Sequence, residues 1–241
     1  MAATSKEKHP VTLPEGVSLQ RLAQVLLDAW EADPRRWIKG PQQLREGPQP
    51  APSAPLPHDA MDLFRLLAER HVDYLLVGGL AMLTYVKGRN TKDVDLLMSV
   101  AALEKLPELK IEDQKDVFAR GKFKSVQVDL LLTINPLFKV VSEKFATKHS
   151  FEELSVPTAT VEGIILLKLF ALPSLSRQLD WERIHVCEGD VKTLLALYKP
   201  AMGPLFALLE KHILPTDLKE LKKIISNEQQ RMARAKRKAR N

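Results

Sequence analysis

Three short pieces of this 241-residue chain could do chemistry together. The first is Gly78-Gly79, which follows the apolar run 73–77 and precedes the helix-like stretch 80–85. Glycines at a strand-to-helix turn let backbone come close to a ligand, and the free N–H groups that open a helix suit a triphosphate. A tight turn with no ligand explains the same dipeptide. The second piece is Asp93 and Asp95, at the head of the apolar run 94–100. Side chains at i and i+2 of a strand share a face. Two carboxylates placed there repel each other unless a divalent cation bridges them or solvent screens them. The third piece is Asp129, inside the run 123–132. An acid among Val126, Val128, Leu130, Leu131 and Leu132 is costly unless paired or metal-bound. If the two acidic strands are neighbours, three carboxylates converge into a one- or two-metal site for phosphoryl or nucleotidyl transfer. One acid would act as base on an acceptor hydroxyl, and the others would hold magnesium against phosphates.

The elements that must position these residues follow from periodicity. Met61, Phe64, Leu67 and Ala68 predict a helix over 60–70, and 73–77 reads as a strand. A helix over 80–85, a strand over 94–100, a helix from 101 and a third strand over 123–132 come next. From 136 the chain reads as loop and short helix. Beyond Pro157 the pattern turns helical, at 161–172, 190–197, 203–212 and 218–232. The fold class is therefore α/β (α+β): a small mixed-sheet core over 59–153, then a helical subdomain over 154–232. Ahead of the core, an arm over 1–38 carries one amphipathic helix at 18–30. The stretch 39–58 is a linker, because six prolines between 41 and 57 remove backbone donors and fix φ. Residues 233–241 form a basic tail.

Composition excludes little. Hydrophobic residues make up 45% and charged residues 27%, ordinary values for a soluble domain. The single cysteine, Cys187, rules out a disulfide framework and a cysteine-rich zinc site within one chain, and fits a reducing cytoplasm. The polar first sixteen residues carry no secretory pattern, and the longest apolar stretch, 163–172, is interrupted by Lys168 and too short for a membrane span. Net charge is +6, with Arg231, Arg234, Lys236, Arg237, Lys238 and Arg240 clustered without an acid. Polyanion binding would concentrate there, although a solvated terminus explains the same run.

The stretch VGGLAMLTYVKGRNTKDVDLLMS, residues 77–99, resembles the nucleotidyltransferase signature, a glycine-rich turn, a short helix and an Asp-x-Asp strand. The lead-in at 89–93 is similar to that of the AbiEii-type toxin branch. The resemblance covers roughly 59–134 by motif. It implies a cleft between core and helical subdomain, with transfer of NMP from an NTP onto an acceptor hydroxyl and release of pyrophosphate. It implies Gly78 and Gly79 as the phosphate turn, and Asp93, Asp95 and Asp129 as catalytic carboxylates binding two Mg2+ ions, Asp129 being the base. Lys168 would reach the phosphates, with a snorkelling surface lysine as the alternative. Arg89 would touch a phosphate or pair with a nearby acid. The acceptor would be tRNA, a protein or a small molecule, and a cognate antitoxin is an implied partner. Many members carry serine where this chain has Gly79, which opens the alternatives of a non-catalytic nucleotide-binding or protein-interaction module, or of a regulatory partner. Arg177 and Arg183 are candidate phosphate contacts, with a solvent-exposed position as the alternative, while Arg65 with His71 and His185 with Cys187 complete no site by spacing.

Overall fold

The computed structural model describes residues 57–86, 91, 93–151 and 154–238. The expected arm over 1–38, the linker up to 56 and Arg89 lie outside the described residues. Helix α1 (Pro57–Glu69) buries Ala60, Leu63, Phe64 and Leu67, one stripe at helical spacing. His71, with φ 47, stops it. Strand β1 (Tyr74–Val77) runs straight into Gly78 and helix α2 (Gly78–Leu83). Strand β2 (Asp93–Met98) is followed by a one-turn helix α3 (Val100–Leu103), capped by the Ser99 hydroxyl, which accepts the Ala102 N–H. Strands β3 (Lys110–Gln114), β4 (Phe118–Phe123) and β5 (Val126–Leu132) form a meander. Helix α4 (Pro136–Lys144) starts on the Asn135 side chain, which accepts the Leu137 and Phe138 N–H groups. A hairpin of β6 (Ala146–Phe151) and β7 (Leu154–Ala159) leads into α5 (Val161–Arg177), α6 (Trp181–Tyr198), α7 (Met202–Leu209) and α8 (Pro215–Lys238).

The sheet is mixed and seven-stranded, in the order β3-β4-β5-β2-β1-β7-β6. Strands β2 and β5 pair in parallel, as do β1 and β7, and the other neighbours are antiparallel. One buried cluster joins the sheet to the helices, from Leu63 of α1 through Leu96 and Leu130 to Leu169, Leu194 and Leu221. No helix among the described residues is long and apolar enough to cross a membrane.

The fold class stands as expected, an α/β mixed sheet followed by helices. Several elements differ from the sequence expectation. The run 123–132 breaks after Phe123 at the two-residue turn Lys124-Ser125, where Lys124 adopts φ 52. Strand β3 was not anticipated because all five of its side chains are exposed, leaving no apolar period. The β6–β7 hairpin was hidden by polar residues and Pro157, yet β7 pairs with β1 through Leu76 and Thr158, so the sheet continues to Ala159, past residue 153. Helix α1 begins at Pro57, inside the expected linker. Helix α6 begins at Trp181, nearer its N-terminus than 190, because Asp180 caps it by accepting the Arg183 N–H. Helix α8 carries the basic stretch in helical form to Lys238.

Strand β5 is the interior strand on which both the core and Asp129 depend. Leu130→Ala removes a side chain with 0% exposure and should cost about 2–5 kcal/mol, read as a lowered urea midpoint with unchanged slope.

Candidate active site

Gly78 has φ 63, a left-handed conformation that favours glycine. A Cβ placed there would lie 2.0 Å from Asp95 Oδ2, so the turn is pressed against that carboxylate. Gly79 donates its N–H to Asp95 Oδ2 at 3.2 Å. The turn thus grips an aspartate of the chain itself. A Cβ on residue 79 would meet the Thr91 hydroxyl at 2.3 Å. Thr91 therefore fills the space that a side chain at 79 would need. Thr91 in turn donates its hydroxyl to the Asp93 carbonyl at 3.3 Å.

Strand pairing brings the acids together. Asp95 stands opposite Asp129 across the parallel β2–β5 ladder, and Val77, the residue before the turn, stands opposite Asp95 across β1–β2. Asp93 is two residues along, on the same face as Asp95. Burial, and then the negative charges of Asp129 and Asp93, push the Asp95 carboxyl up to about 6, against the pull of the Gly79 N–H and the more distant Lys168. Asp129 meets a residue that the sequence reading did not single out. Arg120 of β4 donates Nε to Asp129 Oδ1 at 2.7 Å and Nη2 to Oδ2 at 2.8 Å, a two-bonded fork. Asp129, first, and also Asp93 and Asp113 hold the guanidinium firmly protonated. Among the described residues no group of three or more His, Cys, Asp or Glu side chains is arranged to hold a metal ion as it stands.

Lys168 of α5 lies 2.5 Å from Asp190 Oδ2 of α6, with side-chain exposures of 11% and 7%. It is thus not a surface lysine but half of a buried ion pair that ties two helices. Its charge still reaches Asp95. Arg177 pairs with Asp217 at 3.1 Å, and Arg65 with Asp62 at 3.3 Å, both on the surface. Arg89 lies outside the described residues.

No family model and no curated protein matches this chain. Solved structures overlap loosely. The Thermotoga maritima protein TM1012, provisionally named a nucleotidyltransferase, is 12% identical, covers 51% of this chain and 89% of its own, and superposes with a TM-score of 0.39. ANT(2")-Ia in complex with adenylyl-2"-tobramycin is 13% identical over 62% of this chain and 91% of its own, with a TM-score of 0.45. An antigenic nucleotidyltransferase-like protein from Paracoccidioides brasiliensis is 16% identical over 68% and 89%, with a TM-score of 0.35. Likeness at that level carries no functional weight.

Two measurements follow. The Asp95 carboxyl titrates at about 6 in the folded protein against an ordinary 3.8, so stability falls as pH rises through that window and the cost is complete above it. Asp95→Asn, in buffer free of divalent cations, should gain on the order of 2 kcal/mol at pH 8, a rise of roughly 4–8 °C in Tm, and the gain should be about halved at pH 5. For the buried pair, Lys168→Met or Asp190→Ala alone should cost about 3–5 kcal/mol, whereas Lys168→Met/Asp190→Leu should recover most of it. A stability-neutral Lys168→Met would show that the lysine serves only a ligand.

Proposed function

We propose that this chain is a nucleotidyltransferase, moving an NMP from an NTP to an acceptor hydroxyl. The observation that carries the proposal is the lateral register of Asp95 with Asp129, one strand apart, beside the glycine turn that follows β1. A purely structural sheet gains nothing from facing carboxylates on neighbouring interior strands, and proteins retain such like-charge crowding where chemistry uses it.

The donor set suits magnesium: hard carboxylate oxygens on one face, with Asp95 held above its ordinary range by burial first and then by the charges of Asp129 and Asp93, which a cation would offset. A bound divalent cation would supply charge neutralisation for the phosphates during in-line displacement. The residues of the chain would do the rest. Asp93, Asp95 and one oxygen of Asp129 would bind cation and so fix the triphosphate, while the Gly78-Gly79 turn keeps Asp95 from rotating away. Asp129, once clear of Arg120, would take the proton of the acceptor hydroxyl as its oxygen bonds to the α-phosphorus and the bond to pyrophosphate breaks. Lys168 would act at a distance, through its charge and through the helix pair it holds.

Transfer to tRNA or a protein, and pairing with an antitoxin, are suggested by the lead-in at 89–93, of which Thr91 and Asp93 are the described members. A second reading has its own support: with Asp129 held by Arg120, the same fold could bind nucleotide without turnover. The two separate in one assay. Purified protein is incubated with each α-labelled NTP, Mg2+, and RNA plus protein extract, beside Asp93→Ala/Asp95→Ala. Transfer should appear with the wild type and fall by at least about 1,000-fold in the variant. Magnesium-dependent binding without any transfer would select the second reading, and no binding at all would remove both.

A further inference from the structure

Asp129 is not idle. Its two oxygens receive the two arms of one guanidinium, and Gln127 Nε2 stands 3.5 Å from Oδ1. Arg120 faces Asp129 across β4–β5 and Asp113 across β3–β4, with Asp93 also within electrostatic reach. It lies among acids and is 46% exposed, whereas Asp129 is 17% exposed. On β4 the buried Ala119 and Gly121 flank Arg120, so the arginine lies on the exposed face of the strand. It is a cation on a long tether, bound where a divalent cation would need at least one carboxylate oxygen.

Cation and guanidinium therefore compete for Asp129. An incoming divalent ion must displace the fork, and the released guanidinium would stand beside the same carboxylate row, still charged, next to any anion arriving with the metal. A planar guanidinium binds phosphate oxygens as readily as carboxylate. We propose that Arg120 is the built-in counter-ion of this carboxylate row, and that divalent cation and nucleoside triphosphate displace it together, the cation taking Asp129 and the phosphates taking the guanidinium. The inference rests on the nucleotidyltransferase reading and adds a phosphate-binding residue to it. Arg120 would make the cation bind weakly alone and tightly with nucleotide, a coupling that must be reciprocal.

The test uses the full chain, Mn2+ as probe, and an NTP analogue with a methylene bridge between the α- and β-phosphorus. Binding is followed by calorimetry and by the loss of the free Mn2+ paramagnetic signal. Arg120→Gln should bind Mn2+ alone about 5–10-fold more tightly than the wild type, because a competitor is gone. The analogue should strengthen Mn2+ binding by about 10-fold in the wild type and by no more than about 2-fold in the variant. Arg120→Lys, which keeps the charge and loses the fork, should fall between the two. A purely structural arginine would lower Tm equally with and without Mn2+ and leave both affinities unchanged. That result, with Asp95→Asn still abolishing Mn2+ binding, would overturn the role of Arg120 alone. If neither wild type nor variant takes up Mn2+ or analogue, the nucleotidyltransferase reading falls and this inference with it.

Discussion

The parallel pairing of β2 with β5 is the constraint on which the site depends. It sets Asp95 opposite Asp129. The antiparallel neighbour on one side brings Val77, and hence the Gly78 turn, level with Asp95, and the neighbour on the other brings Arg120 level with Asp129. Four strands thus deliver a turn, two acids and a guanidinium along one row. The register is fixed by the opposite face. Val94, Leu96, Val128 and Leu130 are at most 1% exposed, and a slip of one residue would carry them off the core face and break the row of acids. The same core that stabilises the sheet aligns the carboxylates.

That alignment is electrostatically expensive, and the structure shows three partial compensations. The Gly79 N–H binds Asp95, the Arg120 fork binds Asp129, and Lys168 acts on Asp95 from a distance while paired with Asp190. They do not offset burial and repulsion together, since the Asp95 carboxyl still sits at about 6. Stability alone would favour a neutral residue there. Residues that break local rules without restoring stability are where function is expected.

Much of this was legible in the sequence, for reasons that can be named. The runs 73–77 and 94–100 are short, apolar and bounded by Gly78-Gly79 and by Asp93, so β1 and β2 could be read directly, and the acids with them. The register of Asp95 with Asp129 could not be read, because pairing of β2 with β5 across the intervening strands is a tertiary choice. Arg120 was missed although a signal existed. Arg120 and Asp129 are equally distant from the Lys124-Ser125 turn, so recognising a two-residue hairpin would have paired them. The turn was obscured because neither residue is the glycine or asparagine that usually marks it. The ion pair of Lys168 with Asp190 could not be read either, because it joins two helices whose packing is a tertiary choice. The glycine at 79 looked like a loss, and nothing in its spacing showed that Thr91 occupies the space beside it.

The most direct test of the account is a crystal of the full chain grown with Mn2+ and the non-hydrolysable NTP analogue, with anomalous scattering used to place the metal. The account predicts a manganese peak bonded to Asp95 and shared with Asp93 or Asp129, the triphosphate beside the Gly78-Gly79 turn, and Arg120 moved off Asp129 onto a phosphate oxygen. Nucleotide bound elsewhere, or Mn2+ absent from the carboxylate row with Arg120 still forked on Asp129, would contradict it.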